Sequence, residues 1–246
     1  MKKTIILLFI TINLFGQSNS GDFLTTNFID RVLHIKNGNS TGSSYVIEKF
    51  NRSFLVTAKH IFPNLKENDA ITFQINQNKS WKNVTGKAHL NVDSKIDIII
   101  FDLEIQLFGN NSDSYMRSGT IILGDEGYFL GFPFGFQTTS VMKDNNGFPV
   151  PFFKKAIFSG NIIENGVEMI VLDGQNNPGF SGGPIFFKSY ENGKSIWNLI
   201  GIISGYIQQS NIVKTSLGDL SYGENSGLIR CVDQSFIIEI MNGINK

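Results

Sequence analysis

About fourteen short apolar runs succeed one another between Arg31 and Val232, each closed by Gly, Asn or another turn former, and that rhythm favours strands joined by tight turns. "RVLHIKN", "GSSYVIEKF", "RSFLVTAKH", "AITFQIN", "KAHLNV" and "DIIIFDLEI" fill the first half. "GTIILGD", "EGYFLGF", "TSVMK", "FKKAIFSGNI", "EMIVLDG", "GGPIFF", "WNLIGIISGYIQ" and "SGLIRCV" fill the second. The 22 Phe and 25 Gly suit the same all-β reading, since aromatic residues pack on a pleated surface and glycine serves the turns. The polar stretch Leu107 to Thr120 separates two groups of strands, giving expected β domains over 21–112 and 113–232. A helix is expected over 233–246. Asp233 caps it, Phe236, Ile237, Ile240 and Met241 share one face, and Asn242-Gly243 is the expected stop. There is no internal repeat and no low-complexity tract.

The start of the chain has a different grammar. Lys2 and Lys3 precede an apolar run, Ile5 to Phe15, broken only by Thr11 and Asn13, and small or polar residues follow. That order reads as an export signal over residues 1–20, with cleavage after Gly16 or Ser20. An uncleaved anchor and a buried first strand are the alternatives, but the run falls short of the roughly 20 apolar residues a spanning helix needs. The mature protein is therefore expected in a periplasm or secreted, with no stable membrane insertion. With 21 basic and 21 acidic residues the formal net charge is +0, and no basic block marks a nucleic-acid or anionic-membrane partner. The sequence does not give the oligomeric state. The one cysteine, Cys231, excludes an intramolecular disulfide and sits in an apolar run as a small core residue.

Chemistry concentrates in three places. "NNPGFSGGPIFF", Asn176 to Phe187, sets Ser181 among glycines at 179, 182 and 183, which let backbone N–H groups approach a ligand without Cβ interference. The N–H groups of Gly179 and Ser181 are placed to converge beside the hydroxyl, as an oxyanion hole requires. A serine hydroxyl is a weak nucleophile until a base, itself oriented by a third group, takes its proton. His34 and His89 lie inside strand-like runs and are expected to be surface or half-buried residues. His60 ends an apolar strand at the turn "IFPN", held firmly yet facing a cleft. Asp97 leads directly into "IIIF", so its carboxylate is expected to be partly buried and in need of a hydrogen-bonding partner, ahead of Asp93 and Asp102. Each residue taken alone has an ordinary structural explanation: a Gly-rich turn, a structural histidine, an aspartate at a strand start. Three scattered histidines offer no metal-ligand spacing, and neither a metal nor a cofactor is expected.

Taken together, "LVTAKH", "DIIIFDL" and "NPGFSGGPIF", in that order, resemble the three signature segments of the chymotrypsin/trypsin-like serine proteases. The similarity looks closest to bacterial exported members, the periplasmic stress proteases and glutamyl endopeptidases. Asp97 lies 37 residues after His60 and Ser181 lies 84 after Asp97, both comfortable for that family. "FLGFPFG" looks like the family's Gly-x-Pro-x-Gly segment, and "LIGIISGY" like the strand that pairs with substrate backbone. The resemblance covers about residues 28 to 241. It implies two packed six-stranded antiparallel barrels and hydrolysis of peptide bonds in a protein or peptide substrate. Under it His60 is the general base, Asp97 its orienting partner, Ser181 the nucleophile, and Gly179 and Ser181 the oxyanion donors.

The pattern also departs from the family. Phe180 stands where trypsin-like zymogens carry an aspartate, so no dependence on a freed amino terminus is expected. Lys59 replaces a small residue before the histidine. The expected substrate-binding residues are Gln175, Asn176 and Asn177 at the pocket base, with Ser204, Gly205 and Tyr206 on the substrate strand. None is acidic, and Ile203 stands where glutamyl endopeptidases carry histidine, so a small or medium uncharged side chain is the expected preference. The rival reading keeps the fold and the three residues but makes the protein a catalytically inactive binding module.

Overall fold

The computed structural model describes residues 24–109, 121–138, 146–191, 194–216 and 218–244. After a single helical turn, α1 (Thr26–Ile29), six strands form the first barrel: β1 (Val32–Asn37), β2 (Ser40–Lys49), β3 (Arg52–Thr57), β4 (Ala70–Gln77), β5 (Ser80–Leu90) and β6 (Ile99–Leu103). They close in the order β1-β2-β3-β6-β5-β4. A second closed barrel has the order β10-β11-β12-β9-β8-β7, built from β7 (Glu126–Gly131), β8 (Phe152–Glu164), β9 (Val167–Asp173), β10 (Pro184–Glu191), β11 (Lys194–Thr215) and β12 (Gly218–Asp233). Every strand pair is antiparallel. The chain reverses through two-residue turns whose centres have positive φ, Phe50-Asn51, Asn78-Lys79 and Asn165-Gly166, the geometry that matches strand twist.

Each barrel has its own core. Leu33, Val46, Leu55, Phe73 and Phe101 fill the first, and Phe129, Leu172, Ile185, Ile203 and Cys231 the second. A third cluster lies between the barrels, joining Val32, Tyr45 and Val56 to Leu130, Phe186 and Ile202. The terminal helix α2 (Gln234–Ile244) adds Ile237, Ile240 and Met241 to that cluster. Asp233 Oδ1 accepts the Ser235 N–H at 2.7 Å, as a cap should. The helix continues through Ile244 instead of stopping at Asn242-Gly243, because its apolar face stays engaged to that point.

Several sequence expectations change. Ile121 to Asp125 is not a strand but a turn closed by Asp125, whose carboxylate accepts the Ile122 N–H at 2.8 Å. The run "TSVMK" and most of the polar divider lie outside the described residues, as does the export segment. His34 and His89 are buried, at 3% and 7% exposure. His34 stacks on Phe132 with centroids 4.9 Å apart, and His89 pairs with Glu67 at 2.9 Å. Cys231 is fully buried as expected, and burial pushes its thiol far above the usual range, leaving it unreactive.

Candidate active site

Strand β3 ends at Thr57, and a 3-10 turn over Lys59–Ile61 lifts His60 out of the first barrel, with half its side chain exposed. The loop before β6 brings Asp97 beneath it. Asp97 holds the histidine by two contacts: Oδ1 accepts the His60 backbone N–H at 2.9 Å, and Oδ2 meets the ring Nδ1 at 2.8 Å. Burial alone would raise the Asp97 pKa, but the hydrogen bond and charge of the His60 ring, with bonds from Ser204 and the His60 N–H, outweigh it. The carboxyl is held below its ordinary value and stays ionised. An ionised carboxylate only accepts, so Nδ1 carries the proton of that bond.

Ser204 was expected on the substrate strand. Its hydroxyl donates to Asp97 Oδ2 at 2.6 Å, a bond from the second barrel to the first. The adjacent Ile203 clamps the serine turn: Gly182 N donates to Ile203 O at 2.7 Å, and Ile203 N donates to Gly183 O at 2.9 Å. Gly182 has φ +81, and a Cβ there would lie 2.1 Å from Thr57 Oγ1 and 2.2 Å from Ser43 O, so only glycine lets this turn press against the strand that ends at His60. The fold thus gathers His60, Asp97 and Ser181 at one seam. Among the described residues Ser181 Oγ makes no hydrogen bond to His60, and such links often tighten only when substrate is bound.

Ser43, on β2, had no signal in the sequence beyond a small polar pair in an apolar run, yet it is the hub of the seam. Its N–H donates to Ser181 O at 2.8 Å and its hydroxyl to Gly179 O at 2.7 Å. The same hydroxyl accepts the Phe132 N–H at 3.0 Å, and its carbonyl accepts Thr57 Oγ1 at 2.7 Å. The next peptide toward the N-terminus is fixed separately, since Phe134 N donates to Pro178 O at 2.7 Å. Gly179 itself sits at φ +102, a conformation that suits glycine. Among the described residues neither the Gly179 nor the Ser181 N–H donates to a backbone acceptor in the turns and loops. Phe180 is wholly buried, edge-on to Phe129 at 4.9 Å, with Lys154 Nζ over its ring at 5.7 Å. The loop is therefore anchored by apolar burial where an ion pair was not available.

A cleft of about 600 Å³ opens beside Ser181. Asn176, Asn177, Gly205 and Tyr206 line it, together with Glu164 and Arg230, which the sequence reading missed. Arg230 Nη1 donates to both Glu164 oxygens, at 2.7 and 2.8 Å, so the two charges neutralise each other within the wall. Gln175 does not line the cleft; its carbonyl receives Lys154 Nζ, which also donates to Asn177 Oδ1 at 2.8 Å. Glu164 and Arg230 lie far apart in sequence, on β8 and β12, and nothing local marks either one.

Among the described residues no cluster of His, Cys, Asp or Glu could hold a metal ion. No protein-family model and no curated protein sequence matches the chain. Solved structures do. The HtrA-type protease AlgW with a tripeptide is 20% identical with a TM-score of 0.54, over 88% of this chain and 60% of AlgW, so the chain spans less than two thirds of that relative. Rv3671c from M. tuberculosis H37Rv, a serine-to-alanine mutant in an inactive form, is 13% identical with a TM-score of 0.51, over 89% of this chain and 88% of that one. The MamO protease domain from Magnetospirillum magneticum is 11% identical with a TM-score of 0.51, over 88% and 98%. The likeness is one of fold: the chain has the two-barrel architecture of the trypsin-like serine proteases.

Proposed function

We propose that the chain is an exported serine endopeptidase that cleaves peptide bonds through Ser181, His60 and Asp97 by way of a covalent acyl-enzyme. The observation that carries this reading is the Asp97 carboxylate, ionised and gripping both the ring and the backbone N–H of His60 at the seam that holds Ser181. His60 Nε2 takes the Ser181 proton as Oγ attacks the scissile carbonyl. The oxyanion that forms lies against the Gly179 and Ser181 N–H groups. His60 then protonates the leaving amine, and water repeats the sequence to release the acyl group. Asp97 stays ionised throughout and compensates the imidazolium. The acyl half of the substrate runs antiparallel to Ser204–Tyr206, with its side chain in the cleft beside Ser181. Uncharged amides and a self-neutralised ion pair in that wall fit a small or medium uncharged side chain. The basic-then-apolar opening of the chain supports export, and no described helix is long and apolar enough to cross a membrane.

The test is labelling by a fluorophosphonate probe of the mature protein, Ser181→Ala and His60→Ala. Labelling of the wild type alone is expected. A folded wild type that stays unlabelled would favour the inactive binding module, and labelling that survives Ser181→Ala would remove the site assignment.

A further inference from the structure

Strand β11 does not end with its barrel. Its pairing with β10 stops at Ile202, but its pairing with β12 runs on to the tip, unbroken from Gln208↔Asn225 to Thr215↔Gly218. The result is a two-stranded arm, exposed on both faces over most of its length, rooted beside Ser181 and the cleft. Two bulges, at Ile203/Gly205 and Tyr206/Gln208, lie at its root, where a bulge bends and twists a strand. Among the described residues no strand pairs with the other edge of β11 from Ser204 to Thr215.

Two physical arguments make this edge a docking surface. A two-stranded ribbon in water is marginal without a third strand or a packed face. Val213 and its cross-strand partner Leu220 share one face with Tyr222, opposite Asn211, and these three apolar residues are 45%, 64% and 46% exposed. Exposed edges are also commonly blunted by charge or proline, yet from Gln208 to Thr215 this one carries a single charge, Lys214 near the tip, and no proline. At about 3.3 Å per residue the edge is roughly 35 Å long, room for about ten extended residues. It begins at Ser204–Tyr206, the segment read above as the substrate strand, so its natural occupant is the same chain that enters the site.

We propose that the arm prolongs the substrate-binding edge, docking by strand addition an extended, apolar-rich segment of the substrate that reaches some ten residues N-terminal to the scissile bond. This inference rests on the endopeptidase reading, and its occupant is the acyl half of a protein substrate. Main-chain pairing supplies affinity, and alternate side chains of the bound segment cover Val213, Leu220 and Tyr222, the usual division of labour when a strand is added to a sheet edge. A substrate must then present a long unfolded stretch before its cleavage point, which selects denatured or natively extended chains over compact ones.

The test uses the full mature chain and fluorogenic peptides sharing one core of four residues before the scissile bond, extended N-terminally in steps of two with alternating valine. The expected result is a kcat/KM that climbs with length to a gain of about tenfold at ten residues, the effect of three added cross-strand pairs. An arm-shortened variant, lacking Ser210–Gly223 with Gln209 joined to Glu224 through Asn-Gly, keeps the turnover of the short peptide and loses the gain. Backbone N-methylation of the distal half of the long peptide removes the gain in the wild type too. Equal turnover of short and long peptides overturns the inference and leaves the endopeptidase reading standing. If nothing is hydrolysed, anisotropy of a fluorescein-labelled decapeptide on Ser181→Ala separates the two: arm-dependent binding upholds the docking edge while the protease reading fails, and no binding overturns both. An arm-dependent dimer in sedimentation, without any length dependence, assigns the edge to a second copy and overturns the inference.

Discussion

Ser43→Ala is the substitution whose consequences the geometry defines most sharply. The hydroxyl is fully buried and makes two bonds, donating to Gly179 O at 2.7 Å and accepting from Phe132 N at 3.0 Å. Alanine removes both and introduces no clash. Phe132 is fully buried, so its N–H is left without water or a partner, and Gly179 O loses its donor. An orphaned buried group costs about 1–3 kcal/mol, which puts the loss of folding stability at about 2–6 kcal/mol for the pair. Activity has a separate cost. The Gly179 carbonyl belongs to the peptide that leads to Phe180 and Ser181, and Gly179 at φ +102 has the freedom to rotate once that carbonyl is released. Losing an oxyanion donor outright costs about 2.7–4 kcal/mol of barrier. Loosening the loop forfeits part of that, an expected decrease of about tenfold to a hundredfold in labelling rate. Urea unfolding reads the first quantity, and the second-order rate with a fluorophosphonate probe at 25 °C reads the second. A variant that unfolds at the wild-type midpoint and labels at the wild-type rate would refute the hub. One that is destabilised but labels normally would confine Ser43 to a structural role.

Two other outcomes are expected. His34 is buried with both ring nitrogens unpartnered among the described residues, and burial lowers its pKa to about 4. Between about pH 6.5 and 4 the unfolded chain therefore binds a proton that the native one refuses. Wild-type stability should fall by about 3 kcal/mol on acidification through that window, while His34→Phe, which keeps the stacking on Phe132, should lose less; identical slopes in urea titrations would sink this account. In the cleft, Glu164→Gln removes the carboxylate that neutralises Arg230, whose Nη2 would lie 3.4 Å from a Cβ on Gly205. The kcat/KM ratio for Glu over Gln at the residue before the scissile bond should rise about tenfold, and an unchanged ratio would mean that Arg230 does not reach the bound side chain.

What the sequence disclosed followed from how local each signal was. Strand rhythm marked most of both barrels, because alternation and turn formers act within a few residues. His60 and Asp97 stood out because one ends and the other begins an apolar run, and Ser181 because glycines at 179, 182 and 183 surround it. Ser43, Glu164 and Arg230 carried no such mark: their roles come from partners 136 residues away for Ser43 and 66 for the ion pair. Ser204 was noticed for its backbone, and only the closed barrels reveal that its hydroxyl also reaches Asp97. The arm was missed for the opposite reason. "QSNIVKT" and "GDLSYGEN" lie between the strand-like runs, and an exposed two-stranded ribbon has no buried face to impose alternation. His34 and His89 were expected nearer the surface than they lie: a histidine is buried readily when stacked on Phe132 or bonded to Glu67.

The candidate site is a property of the interface more than of either barrel. The first barrel supplies His60, Asp97 and Ser43, and the second supplies Ser181, Gly179 and Ser204. The fixing contacts Ser43 N to Ser181 O, Ser43 Oγ to Gly179 O and Ser204 Oγ to Asp97 Oδ2 all cross between them. Three hydrogen bonds of ordinary net worth, about 1 kcal/mol each and more for the charged one, could not hold two domains in register. The apolar cluster between the barrels does so, because burial scales with area whereas a hydrogen bond only exchanges one partner for another. Tyr45 against Phe186, centroids 5.5 Å apart, packs the two barrels directly. Helix α2 then reaches across, with Ile237, Ile240 and Met241 in the shared cluster and Glu239 Oε2 accepting Asn91 Nδ2 of the first barrel at 3.0 Å. The division of labour is physical: non-directional burial sets how firmly the barrels dock, and the few directional bonds at the seam set where three side chains and two N–H groups point.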